Sequence, residues 1–494
     1  MSPFQGEGRE FESRPPLPVI SYMNKKIIIV LIAAYLIRMI ALNQSLWLDE
    51  AVTAKVVLHF NFTEIITKFS PTDFHPPLYY LLIKVWTSIF GYSEVVLRMP
   101  SVIFSILTGW IIYLMVGFWP MVFFLFNPLV VYYSQEARMY MMTVFLLTTS
   151  VYFFKKILLG PAKSFTPTNA RLAKSERDLR VVGTPLTFAT QHLLLFILFC
   201  TLSLYTFYGS IFLISAFFIY LLYKKQYKIF LVSGLAFVVL SLPLLPLLYK
   251  QFLNSKIMLQ SVTNWSLVLG KVNLKDLFLI PMKFAFGRIS FYPKSIYYLL
   301  SGLWTVIIFY FVIKGGIKKK FWLFLFTLPL LLAFIFSFFS PMLQYFRFIY
   351  LIPILSILVA YGTNKNWQKT LITVSFLILS LVYLLMPQFY REDWQSLAYY
   401  LPAGRQVYMI SPSSDGLAYY RPDIKIKDLR DTKNIYEKEI VVIPYAVEIY
   451  GLDYKKELET KGYQLKEKKS FRELFYEVWT TLFLGSSFSK RDIH

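Results

Sequence analysis

Apolar runs of roughly 18 to 22 residues recur from one end of this chain to the other, each long enough to cross a hydrocarbon core of about 30 Å. Lipid offers backbone N–H and C=O groups no partners, so such runs must be helices that satisfy themselves. The pattern predicts an α-helical polytopic membrane protein with about 11 transmembrane helices. Composition agrees: 16% of the 494 residues are charged and 56% hydrophobic, where soluble domains carry about 25% charged residues.

Span 1 is expected over 26–43, behind Lys25 and Lys26, so its start lies inside by the positive-inside rule. A surface helix over 50–69 is broken by Phe74-His75-Pro76-Pro77, and a second short helix follows at 78–90. Spans 2 and 3 (94–116 and 118–133) meet at Gly117, and span 4 runs to 154. Loop 155–188 holds seven cations against two acids. Spans 5 and 6 form a hairpin over 190–223. Span 7 (229–249) is bent by Pro243 and Pro246. A long loop reaches 295, and spans 8 to 11 end at 314, 339, 362 and 386. Counted from an inside start, the loops after spans 2, 4, 6, 8 and 10 fall inside. Four are rich in Lys and Arg; the fifth is the turn at Gly117. The exception is 250–295, basic yet outside, whose cations suit lipid headgroups or a phosphate.

Three units follow. Residues 1–22 are polar and read as a disordered or misassigned N-terminal extension, since Met23-Asn24-Lys25-Lys26 is a natural start. Residues 23–387 form the membrane domain, with its first outer loop over 44–93. Residues 388–494 form a soluble α/β domain outside, with helices at 391–401 and 454–461 and strands at 407–411, 440–444 and 472–479. The net charge of +23 lies in loops between spans, so it is topogenic; no basic soluble domain stands apart to bind nucleic acid. Cys200 is the only cysteine, which excludes disulfides and cysteine-based metal sites.

This topology collects ionisable side chains at one face. Asp49, Glu50, His75, Glu136, Arg138 and Arg347 all fall where chain leaves membrane, with Arg38 about one turn below. Adjacent carboxylates at that depth are costly unless they are used. Asp49 suits two roles: the N-cap of the helix that follows, or a general base taking a proton from an acceptor hydroxyl. Glu50 points about 100° away on a helix and suits pairing with a cation. A sugar leaving a lipid phosphate would need cations on the departing anion, and Arg138 and Arg347 qualify. Arg138 equally suits an intraloop pair with Glu136, and Arg347 an interface anchor. His75 is a phosphate donor or metal ligand, although a lone His is more often neither. Arg38 either snorkels or pairs with Asp49 or Glu50. A transporter or flippase of lipid-linked saccharide would instead place its charges near the midplane and show inverted repeats. The sequence shows neither. A non-catalytic scaffold would not require the clustered ions.

The series Arg38, Trp47-Leu48-Asp49-Glu50-Ala51, His75-Pro76-Pro77-Leu78-Tyr79-Tyr80, Glu94 through Arg98 to Pro100-Ser101, and Gln135-Glu136-Ala137-Arg138 with Tyr140 resembles the GT-C glycosyltransferase superfamily. More narrowly it is similar to bacterial relatives of the protein O-mannosyltransferases and lipid A aminoarabinose transferases, a glycosyltransferase family 39-like pattern. The resemblance is strongest over 35–145. It implies a GT-C fold, Asp49 as catalytic base with Glu50 its neighbour, and donor-phosphate contacts from Arg138, Arg347 and His75. The aminoarabinose transferases carry Lys at the position of His75. Arg38, Glu136, Tyr140, Glu94 and Arg98 are supporting residues. The implied partners are a polyprenyl-phosphate sugar donor, membrane lipid, and a protein, lipid or glycan acceptor, with inversion at the anomeric carbon. A divalent metal ion is left open, with His75 and Glu136 to hold it. The implied location is the plasma (inner) membrane, multi-pass, with the active site and the C-terminal domain extracytoplasmic.

Overall fold

The computed structural model describes residues 25–160, 185–431 and 435–481. The expected extension at 1–22 and most of loop 155–188 lie outside the described residues. Helix α1 (Lys25–Met39) leads to the first loop, which folds into α2 (Leu48–His59), a short α3 (Phe62–Glu64) continued by a π-turn, and α4 (Leu78–Phe90). Then come α5 (Glu94–Val116), α6 (Phe118–Phe126), α7 (Pro128–Ser134), α8 (Tyr140–Leu159), α9 (Pro185–Thr206) and α10 (Ile211–Tyr223). They are followed by α11 (Tyr227–Ser241), α12 (Leu245–Ser261), α13 (Trp265–Leu269), α14 (Leu274–Phe286), α15 (Lys294–Lys318), α16 (Lys320–Phe336), α17 (Ile352–Gly362) and α18 (Asn366–Leu385).

By length and composition, six helices among the described residues can cross a membrane: 94–116, 140–159, 227–261, 294–318, 345–362 and 366–385. The expected count of eleven is not reached by that measure. The segments expected as spans 1, 6 and 9 are helices of 15, 13 and 17 residues, span 3 is the pair α6 and α7, and span 5 is α9, which enters that measure only over Thr190–Thr206. Span 3 is broken for a local reason. Pro128 has no N–H to give and Asn127 turns the chain, its Oδ1 accepting from the amides of Leu129 (3.0 Å) and Val130 (3.2 Å). The freed carbonyl of Leu125 is taken by Arg38 Nη2 at 2.8 Å. Surface helix 50–69 also divides, where Asn61 caps α3 by accepting from Glu64 N at 2.9 Å. Past Pro243 and Pro246 the helix does not stop near 249 but runs on as α12 to Ser261.

Small residues allow a close helix contact between α15 and α17. A Cβ on Gly315 of α15 would stand 1.9 Å from the carbonyl oxygen of Leu358 on α17, and one on Gly362 2.0 Å from that of Phe311. The backbones therefore touch where side chains would hold them apart.

The C-terminal domain has α19 (Trp394–Tyr400), β1 (Gln406–Met409), α20 (Asp415–Tyr420), β2 (Ile426–Asp428), β3 (Glu439–Val442), α21 (Val447–Tyr450), α22 (Tyr454–Thr460), β4 (Tyr463–Phe471) and β5 (Leu474–Thr481). Its sheet order is β2-β1-β3-β5-β4. β1 pairs in parallel with β2 and β3, and β5 lies antiparallel to β3 and β4. Five expected elements are present within a few residues. Strands β2 and β4 and the short helices α20 and α21 are additional. One face packs Trp394, Leu397, Val407, Val441 and Val478; the other packs Tyr408, Ile440, Val442 and Trp479.

The domain is bound to the first loop at several points. Leu46 N donates to Tyr420 Oη (2.9 Å), Gln395 N to Ser45 Oγ (3.2 Å), and Lys55 pairs with Asp415 at 2.7 Å.

Candidate active site

The site is built on the first turn of α2. Asp49 does not cap that helix. Trp47 holds the cap position, which places Asp49 inside the first turn with 36% of its side chain exposed. There its carboxylate gains from the helix dipole. Glu50, one residue on, is 1% exposed and faces the interior. Arg98 Nε donates to its Oε1 at 2.8 Å and Nη2 to its Oε2 at 2.5 Å, a bidentate pair. Ala137 N also donates to Oε1 at 2.7 Å. The same guanidinium donates to the carbonyls of Leu42, Gln44 and Ser45. Glu50 and Arg98 thus pin the loop before Asp49 to the turn that carries Glu136 and Arg138.

Arg138, 5% exposed, lies across from Asp49 with Nη2 3.6 Å from Oδ2. Its Nη1 donates to Asp49 O (3.4 Å) and to Tyr80 Oη (3.3 Å). Tyr80 Oη donates in turn to Asp73 Oδ2 at 2.9 Å, and Asp73 Oδ1 lies 3.4 Å from His75 Nδ1. Asp49, Arg138, Tyr80, Asp73 and His75 therefore form one continuous polar chain. Burial works to raise the Asp73 carboxyl, but His75, Arg138 and the Phe74 amide outweigh it and hold the group at about 2. Asp73 is a fixed anion that orients its neighbours.

Glu136, one of the two alternatives for Arg138, pairs instead with Arg391 of the C-terminal domain, whose Nη2 stands 3.1 Å from Oε1. Tyr132 Oη also donates to that oxygen (3.2 Å), while the buried Oε2 has no partner. Burial, abetted by Glu50 and Asp49 against Arg391 and Arg288, pushes the Glu136 carboxyl up to about 7. Arg391 stacks on Trp47, its Cζ 3.6 Å from the ring centroid, and both Arg391 and Arg288 donate to Tyr132 Oη. Lys283, 8% exposed, donates to Tyr297 at 3.1 Å, and burial with Arg288 nearby pulls its ammonium down to about 8.

Arg347 donates to Pro341 O at 3.3 Å, and no carboxylate among the described residues lies within ion-pair distance of it. Tyr140 links it to the site: its ring meets Phe346 at 5.8 Å, and it lies in the fields of Arg138, Glu136, Asp49 and Arg347. Glu94 accepts from Tyr420 Oη at 3.3 Å. Arg38 neither snorkels nor meets Asp49 or Glu50. It is fully buried, giving its guanidinium to Ala34 O and Leu125 O, and braces the break at Asn127. The sequence marks Tyr80 only as the last residue of the His75–Tyr80 series, and it does not mark Asp73, Tyr132 or Arg288 as site residues. Asp73 carried a signal, two residues before His75 at the helix break. Arg288 was one cation among seven in its loop.

Among the described residues no group of three or more His, Cys, Asp or Glu side chains is gathered to hold a metal ion. His75 lies by Asp73, and Glu136 is engaged by Arg391. Among the described residues the donor set does not fit a held divalent ion.

No protein-family model and no curated protein matches this sequence. Solved structures do. ArnT from Cupriavidus metallidurans in the apo state is 10% identical, covering 92% of this chain and 98% of that one, with a TM-score of 0.53. The same protein bound to undecaprenyl phosphate is 11% identical, covering 94% and 99%, also at 0.53. An Archaeoglobus fulgidus oligosaccharyltransferase tethered to an acceptor peptide is 12% identical over 81% of this chain and 63% of that one, at 0.43. With ArnT matched almost end to end, this chain shares the fold of that protein.

Proposed function

We propose that this protein is an inverting glycosyltransferase that moves a sugar from a polyprenyl-phosphate donor to an acceptor hydroxyl, with Asp49 as general base. The observation that carries this reading is an accessible carboxylate, 36% exposed, held 3.6 Å from a buried guanidinium, that of Arg138. A base and an anion-stabilising cation side by side are what the transfer needs. The acceptor oxygen attacks the anomeric carbon while Asp49 takes its proton. The bond from that carbon to the phosphate oxygen breaks on the opposite side, and its electron pair leaves with the phosphate. Attack opposite the leaving group inverts the centre. Arg138 and Arg347 hold the charge that develops on the phosphate, joined by Arg288 with the buried Lys283 behind it. His75 stands at the same end of the polar chain as Asp73. Glu50, saturated by Arg98 and Ala137, positions Asp49. The reading also places this face outside the plasma membrane, with α19 and α20 of the C-terminal domain walling the acceptor side.

The Asp49→Asn variant keeps shape and loses basicity. Incubated with a panel of polyprenyl-phosphate sugars and candidate acceptors, it is expected to lose at least about a hundredfold in transfer while donor binding stays near wild type. Mass spectrometry of the acceptor reads the transfer. Full activity in this variant overturns the assignment.

A further inference from the structure

The segment from α12 through α14 combines two features that the reaction does not use. The first is exposed apolar surface beyond a membrane span. Helices α11 and α12, joined through the prolines, run for 35 residues. At 1.5 Å per residue that is about 52 Å, some 20 Å more than a hydrocarbon core. Yet α12 does not turn polar. Leu245, Tyr249, Phe252 and Ile257 are all more than half exposed, and on α14 so are Leu274 and Phe278.

The second is charge without counter-charge. Lys250, Lys256, Lys271 and Lys275 are all exposed, and none lies within ion-pair distance of a carboxylate among the described residues. The one acid over 245–294, Asp276, accepts from Asn273 Nδ2 at 2.7 Å. Lys256 sits over the Phe252 ring at 4.6 Å, so ammonium and apolar surface are presented together.

The segment is also tied to the site. Gln251 Nε2 donates to Ser70 O (2.7 Å) and His75 O (3.0 Å), and Asn254 Nδ2 donates to Pro71 O. Asn264 binds the carbonyls of Glu448 and Ile449 on the C-terminal domain.

We infer that α12 to α14 form an interfacial paddle that lies in the leaflet on the Asp49 side and binds the anionic headgroups of that leaflet. Exposed apolar side chains interleaved with uncompensated lysines are complementary to an acidic lipid surface and to little else. A water-facing loop would gain nothing from exposed Phe252 and Phe278, and a protein partner would not require every exposed charge to be positive. The paddle holds anionic lipid beside the Asp73–His75 end of the polar chain.

The test does not depend on glycosyl transfer. The full chain, carrying Cys200→Ser and either Phe252→Cys or Phe278→Cys for a nitroxide label, is placed in bilayers of phosphatidylcholine with or without phosphatidylglycerol. Collisional accessibility is then measured. Labels that sit below the phosphate level with phosphatidylglycerol, and move toward water without it, support the paddle. A version with Lys250, Lys256, Lys271 and Lys275 all changed to Glu is expected to lose roughly a hundredfold or more in preference for phosphatidylglycerol, since each lysine near such a surface is worth about fivefold. An unchanged melting temperature shows that it is folded. Water-exposed labels in both bilayers, labels buried equally in both, or a quadruple variant with unchanged lipid preference overturns the inference. Loss of transfer in Asp49→Asn bears only on the proposed reaction.

Discussion

Two carboxylates at this site stand one residue apart in the chain and have opposite surroundings. Asp49 reaches solvent, while Glu50 is enclosed by Arg98. Sequence could place both at one face and turn Glu50 away by helix geometry, but it could not say which cation would receive it. Arg98 lies 48 residues on, and nothing local marks the pairing. A third carboxylate, Glu136, yields a pH prediction. Burial raises it to about 7 from an ordinary 4.5. A carboxyl raised in the folded state favours folding fully below its unfolded pKa. That advantage is lost as pH rises, because the unfolded chain ionises from about 4.5 while the folded one resists until about 7. Stability should therefore fall across that window, by about 3 kcal/mol at most. The Glu136→Gln variant should flatten this part of the melting-temperature profile. A profile as steep as wild type would count against a protonated Glu136.

Elements were legible to different depths. Long apolar runs such as α5 and α15 could be read directly, because lipid leaves the backbone no alternative to helix. The break at Asn127 was not, since the apolar run continues through it and the partner that makes it tolerable, Arg38, sits on another helix. Strand β4 was missed for the reverse reason. It is an edge strand, exposed over most of its length and rich in lysine, so it lacks the alternation that betrayed β5. The contact of α15 with α17 gives a test at this scale. Gly362→Val places side-chain atoms where the Phe311 carbonyl oxygen already lies. It should lower stability by roughly 2 to 4 kcal/mol, read as a drop in melting temperature in detergent, whereas Gly302→Ala, with open space around its Cβ, should cost about 1 kcal/mol or less. Equal behaviour of the two would mean that the helices are not in backbone contact.

At the scale of the whole molecule, the polar cluster around Asp49 draws on the first loop and on the C-terminal domain together. The composition shift at residue 388 marks out the part of the chain that carries the C-terminal sheet, but not that it reaches into the site. Arg391 on Trp47 and Glu136, and Tyr420 on Leu46 and Glu94, are contacts between distant parts of the chain. Tyr420→Phe removes one hydroxyl and leaves the ring. Losing that hydrogen bond, worth about 1 kcal/mol, should speed amide exchange at Leu46 and its neighbours roughly fivefold, with little change in the membrane helices. Exchange that accelerates everywhere would mean general loosening in place of a local clasp.

The clasp also fixes an order of events during synthesis. Ser45 and Leu46 leave the ribosome long before Gln395 and Tyr420, which lie 350 and 374 residues later. At roughly 5 to 20 residues per second, Asp49 waits from about twenty seconds to more than a minute before its last wall arrives. A nascent or truncated chain thus has the Asp49 carboxylate without the enclosure around it, and the polar cluster is complete only when translation is nearly finished.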